Sequence, residues 1–90
     1  FTGDACDLYD RYCTSSDLSQ LKCGMIVAVS THPHTAAGSI WGHVGIFVGD
    51  GTVLDSVYGY VRTSSLKDWM DFYGVTVPVK WGWLGNVQVV

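Results

Sequence analysis

The segment Gly42-His43-Val44-Gly45-Ile46-Phe47-Val48-Gly49-Asp50-Gly51-Thr52-Val53-Leu54-Asp55 leaves the chain the least freedom. Two short apolar runs rich in β-branched residues flank a glycine turn, which specifies a pair of antiparallel strands. Side chains alternate along a strand, so His43, Gly45 and Phe47 share one face and Val44, Ile46 and Val48 the other. The second, uniformly apolar set is expected to face the core.

Where Asp55 falls depends on the turn, because a slip of one residue exchanges the faces of the whole pair. A two-residue Asp50-Gly51 loop pairs Ile46 with Asp55 and places a carboxylate among Val44, Ile46 and Val48. Buried there without a partner, it would cost several kcal/mol or be forced neutral. A three-residue Gly49-Asp50-Gly51 loop pairs Val48 with Thr52, Ile46 with Leu54 and Gly45 with Asp55, so that Asp55 lies diagonal to His43. Apolar and charge patterns agree only in the second register, which is therefore expected. Gly45 then presents no side chain between the carboxylate and the imidazole. An imidazole oriented by a carboxylate is suited to accept a proton near neutral pH, so His43 and Asp55 form a candidate base and orienting group. A strand histidine bonded to a neighbouring carboxylate also occurs in sheets without catalysis, and spacing alone leaves that reading open.

The rest of the chain supplies elements around this hairpin. Residues 4–13 predict a helix, with Asp4 as N-cap and Ala5, Leu8, Tyr9 and Tyr12 on one stripe. Met25 to Val29 is a continuous apolar run, expected as a central strand covered on both faces. Ser30 to Ser39 has loop chemistry, Ile40 to Val48 and Thr52 to Val57 make the hairpin, and Tyr60-Val61-Arg62 is a candidate third strand. Ser65 and Asp68 resemble a capping box opening a helix with Leu66, Trp69, Met70 and Tyr73 on one face and Gly74 at its end. Val75 to Val79, interrupted by Pro78, predicts an edge strand continued by Lys80-Trp81-Gly82-Trp83, and Val87 to Val90 a last one. The order specifies a single α+β domain, an antiparallel sheet with flanking helices, over residues 1–90.

Composition narrows the partners. Only five Lys and Arg residues are present and the formal charge is −3, so no basic stripe exists to track a phosphate backbone. No apolar run approaches the roughly 20 residues that span a bilayer. The chain starts at Phe1 rather than Met, so a processed or excised piece of something longer is expected.

Three cysteines, Cys6, Cys13 and Cys23, leave at least one thiol unpaired within the chain. Cys6 and Cys13 stand about 10 Å apart along a continuous helix, too far for a disulfide, so Cys23 is the expected partner if either is oxidised. His32, His34 and His43 could in principle supply three nitrogens to one metal, but Pro33 in a solvated loop is the simpler explanation. No metal and no cofactor is expected. Trp41 stands two positions before His43, where it could stack on a sugar or peptide or simply cover the sheet. Trp69, Trp81 and Trp83 are expected in core and sheet faces.

The run Leu21-Lys22-Cys23-Gly24-Met25-Ile26-Val27-Ala28-Val29, a loop, and then Gly42 to Gly51 resembles the C-terminal, β-rich half of NlpC/P60 and CHAP-type cysteine peptidases, which are papain-like peptidoglycan hydrolases. The likeness extends through Asp55 and, more loosely, to Trp81-Gly82-Trp83. It implies a secreted or cell-wall-associated hydrolase of bacterial peptidoglycan peptides, with His43 as the catalytic histidine and Asp55 as the residue holding its ring. The family's nucleophile is a cysteine at the N-terminus of a helix packed on this sheet. Asp4-Ala5-Cys6-Asp7-Leu8 does not match that motif, and Asp7 opposes a thiolate at Cys6. The resemblance therefore implies a nucleophile on a segment before Phe1 or on another chain, with Cys6 as the alternative within these residues. Two other readings stay open: a non-catalytic module binding cell-wall glycan or peptide, and a metal-dependent hydrolase using the three histidines.

Overall fold

The computed structural model describes residues 5–57 and 59–84. The first helix, α1 (Ala5–Tyr12), buries Leu8 and Tyr9, as its apolar stripe requires; the expected cap at Asp4 lies outside the described residues. A short 3-10 turn, Leu18–Gln20, is capped by Asp17, whose carboxylate accepts from the Ser19 N–H at 2.9 Å. Five strands follow, β1 (Ile26–Val29), β2 (His43–Gly49), β3 (Thr52–Val57), β4 (Tyr60–Ser65) and β5 (Lys80–Gly82). They form one antiparallel sheet in the order β4-β3-β2-β1-β5. β1 is buried along its whole length, as its unbroken apolar run predicts.

The hairpin combines features of both turns weighed from the sequence. Ile46 pairs with Leu54 and Phe47 with Val53, the register expected of the strand bodies. At the tip, however, Gly49 pairs with Thr52 across a two-residue Asp50-Gly51 turn, and Val48 is left over as a bulge. Asp50 (φ 49°) and Gly51 (φ 66°) both take the positive φ values that a mirror-image hairpin turn requires. The bulge absorbs the one residue that would otherwise have turned Asp55 to the opposite face.

The face assignment is corrected. The pairs Val29↔His43, Val27↔Gly45 and Val27↔Trp81 put the histidine on the same side as Val27, Val29 and Trp81. The larger core lies there: Met25, Val27, Val29, Val53, Trp81 and Val79 pack with Trp69 and Tyr73 from helix α3 (Leu66–Tyr73). Both Trp69 and Trp81 are fully buried, and truncating either would cost about 3–5 kcal/mol. On the Val44 face, α1 packs Leu8, Tyr9 and Cys13 against Ile26 and Ala28, with Val44 of β2 at the margin of that cluster. Ile46 and Val48 are left 44% and 43% exposed, and Ile46 lines an open apolar groove with Leu54 and Val61. Ile46 and Val48 stay exposed beyond the α1 cluster, so the uniformly apolar side of the hairpin is not its buried side.

α3 is held at both ends. Ser65 accepts from the Asp68 N–H at 3.1 Å, and Leu66 N–H reaches back to the Gly51 carbonyl at the hairpin tip. The helix then crosses the sheet and ends at Gly74, whose N–H bonds the Met70 carbonyl.

Two boundaries differ from expectation. Ile40 and Trp41 belong to a single helical turn, α2 (Gly38–Trp41), with Gly42 (φ 77°) closing it before β2 begins at His43. Thr35 Oγ1 accepts from the Gly38 N–H at 2.8 Å and starts that turn, a local bond that side-chain alternation does not report. Val75 to Val79 is not a strand; only Lys80–Gly82 pairs, because Pro78 has no N–H to contribute. The strand expected at Val87 to Val90 lies outside the described residues.

At Gly82 the back of β5 touches the end of α1: a Cβ there would sit 1.8 Å from the Tyr12 carbonyl oxygen. Gly82→Ala must therefore push α1 off the sheet, and we expect a loss of about 1–3 kcal/mol in denaturant unfolding. Stability equal to the parent's would refute this account of the α1 contact.

Candidate functional site

The site forms where β2 begins, under the last turn of α3. His43 Nε2 and Asp55 Oδ2 are 2.8 Å apart, one strand inward from the sheet's β4 edge. Gly45 lies beside this contact: a Cβ on it would come 2.6 Å from Val53 Cγ1 and 3.4 Å from Asp55 Cβ. The absence of a side chain at position 45, noted in the sequence, is thus required chiefly by Val53 on β3, with Asp55 at ordinary contact distance.

The Asp55 side chain has 0% solvent exposure, yet it is well supplied with donors. Oδ2 accepts from His43, from Trp69 Nε1 at 2.9 Å and from Arg62 Nη2 at 3.2 Å, while Oδ1 accepts from Arg62 Nε at 2.8 Å. Burial pushes the carboxyl upward, but the bonds from Arg62, His43 and Trp69 and the Arg62 charge outweigh it and hold the group below the usual carboxylate range. An ionised carboxylate can only accept, so His43 Nε2 must carry the proton. That leaves Nδ1 unprotonated in the neutral ring, and among the described residues no hydrogen bond occupies it.

The ring is also fixed by packing. Tyr73 stacks on it with centroids 4.5 Å apart and an interplanar angle of 29°, and His32 meets it edge-on at 6.0 Å. His32 is itself buried, lying over Gly38 and accepting from the His34 N–H at 3.3 Å. Burial lowers its pKa, and the neighbouring His43 and His34 lower it further. His34 stacks on Phe72 at 3.8 Å.

The three histidines come together without forming a metal centre. His43 Nε2 is committed to Asp55, His34 Nε2 to the Phe72 carbonyl and His32 Nδ1 to the His34 backbone. Among the described residues no group of three His, Cys, Asp or Glu side chains could hold a metal ion. The geometry thus gives the metal-dependent reading no support.

The cysteines lie apart from one another as free thiols. Cys13 is buried beside Gly82, at the Ile26 end of β1, and burial pushes its thiol up to about 12. Cys23 is exposed beside Gly49 at the hairpin tip, six residues along β2 from His43 and hence about 20 Å away. α1 runs back along β1, since its Tyr12 end abuts Gly82 and its Tyr9 hydroxyl reaches the Pro78 carbonyl at 2.8 Å. Cys6, in the first turn, therefore lies toward the His43 end of the sheet, although its helix covers the opposite face.

Three contributors to the site went unassigned in the sequence. Trp69 and Tyr73 were legible only as a core stripe, and Arg62 only as part of a third strand. For Arg62 a signal existed in strand pairing: Val57 pairs with Tyr60, and continuing that register sets Arg62 directly opposite Asp55. Trp41, 50% exposed on α2, and Tyr60, on the β4 edge, make no hydrogen bond or ring contact with the His43 cluster.

Because the folded Asp55 carboxyl lies below its unfolded value of about 3.9, its stabilisation is complete above that value and is lost as pH falls through the lower folded one. Asp55→Asn should cost about 3 kcal/mol at neutral pH and remove that acid-side loss. Denaturation midpoints of parent and variant between pH 7 and acid would test it, and parallel pH profiles would refute it.

No protein-family model matches the chain, and no curated protein or solved structure matches it.

Proposed function

We propose that this chain carries the base and the orienting residue of a papain-like cysteine peptidase that cuts amide bonds in bacterial peptidoglycan peptides at the cell surface. The observation that carries the reading is the Asp55-bonded His43 ring, protonated on Nε2 and with Nδ1 unoccupied. In such a mechanism Nδ1 takes the thiol proton as the sulfur attacks the peptide carbonyl, then returns it to the leaving amine. Asp55 holds the tautomer and stabilises the imidazolium between the two transfers.

The attacking thiol comes, in this reading, from a segment before Phe1 or from a partner chain. Cys13 and Cys23 are at the far end of the sheet from His43, and Cys6 stands on the other face. A second reading, a non-catalytic module for cell-wall glycan or peptide, is favoured by the same separation of thiols from His43.

The test incubates purified peptidoglycan with the protein, as this chain and within any longer gene product that contains it. For the active form, His43→Ala should lower muropeptide release at least roughly a hundredfold. Cys6→Ser should leave release unchanged. Undiminished release by His43→Ala would refute the role of His43, and loss of release in Cys6→Ser would place the nucleophile on α1. Binding of peptidoglycan without release by any form would establish the second reading.

A further inference from the structure

We propose that Arg62 is a positioning residue for His43: by clamping and neutralising the buried Asp55 carboxylate, it holds the imidazole in the Nε2–H tautomer and prevents an unbalanced carboxylate from trapping the ring as imidazolium. The role deepens the reading of His43 as a base and rests on it.

The geometry places Arg62 against two of the groups that hold the ring, Asp55 and Tyr73. It lies directly opposite Asp55 on β4, and its planar fork engages both carboxylate oxygens. The same Nη2 also donates to the Tyr73 hydroxyl, and the guanidinium carbon stands 5.9 Å from the Tyr73 ring centre. Tyr73 is the ring stacked on His43. Arg62 thus touches the carboxylate that bonds the imidazole and the aromatic face that supports it.

Charge placement gives this arrangement its consequence. The Asp55 side chain has no solvent exposure, whereas that of Arg62 is 42% exposed, so the cation remains hydrated while the anion does not. A bare, buried carboxylate 2.8 Å from an imidazole favours the protonated ring strongly. A guanidinium on that carboxylate opposes the effect while leaving the hydrogen bond in place. The titratable groups around His43 are Asp55 from β3, Tyr73 from α3 and His32 from the loop before α2, with His34 behind His32. Arg62 acts from β4 through Asp55, and Asp68 of α3 lines the groove outside it. Among these, Arg62 alone is a permanent cation.

The experiment follows imidazole and guanidinium signals by 1H–15N correlation in the labelled full chain from roughly pH 4 to 9, which needs no hydrolysis. In the parent, neutral His43 should show Nε2 protonated, and the Arg62 Nε–H signal should move with the His43 midpoint because the two share Asp55. In Arg62→Gln the His43 midpoint should rise by about one pH unit, a roughly tenfold smaller neutral fraction at acidic pH, and the Nδ1–H tautomer should appear. Arg62→Lys keeps the charge without the fork and should hold the midpoint near the parent's while admitting the second tautomer. An unchanged midpoint and tautomer in Arg62→Gln would overturn the proposal, as would equal midpoint shifts in both variants. Should Arg62→Gln fail to fold, the parent decides: an Arg62 signal indifferent to the His43 titration overturns it. These shifts in a protein that never releases muropeptides would sink the peptidase reading and leave the role of Arg62 standing.

Discussion

A carboxylate shut off from solvent stays ionised only where the folded chain brings it donors from several directions, and the architecture around Asp55 can be understood as the means of doing so. The donors come from β2, β4 and α3, three elements that meet only when the sheet is complete and the helix lies across it. Each arrives by a different route. His43 depends on the hairpin register, Arg62 on the next turn, and Trp69 on a helix tied at its start to the hairpin tip. Losing any one leaves buried polar groups short of partners, which costs more than the bond itself is worth.

This dependence links stability to chemistry. The bonds that keep Asp55 charged also determine which nitrogen of His43 bears the proton, so the group that anchors α3 to the sheet also orients a candidate base. Tyr73 and Trp69 serve both purposes, filling the larger core while walling the imidazole. The other side of the sheet has no such economy. There α1 packs on β1, β5 and the Val44 end of β2, and the surface around Ile46, Leu54 and Val61 stays open and apolar.

Much of the fold was legible in the chain because local rules agreed with one another. The apolar run at Met25 to Val29, the Ser65 cap with its stripe and the glycine turn each announce an element whose period and punctuation match. The structure departs from these local rules where they compete. The hairpin tip uses the two-residue turn that its Asp-Gly favours, and a bulge at Val48 reconciles that turn with the register that the charge pattern demands. The core face is not the more apolar one, Val44, Ile46 and Val48, but that of His43, Gly45 and Phe47. Burial there is decided by where α3 docks, not by which face is greasier.

The sequence by itself determined the strand pair and the placement of His43 and Asp55 on one face, since alternation is a property of neighbouring residues. Only the tertiary structure decided that this face is the buried one, that Arg62 and Trp69 complete the carboxylate's hydrogen bonds, and that Cys13 and Cys23 lie far from the imidazole. Those facts turn on contacts between residues distant in the chain, where direction and distance come from packing one element on another.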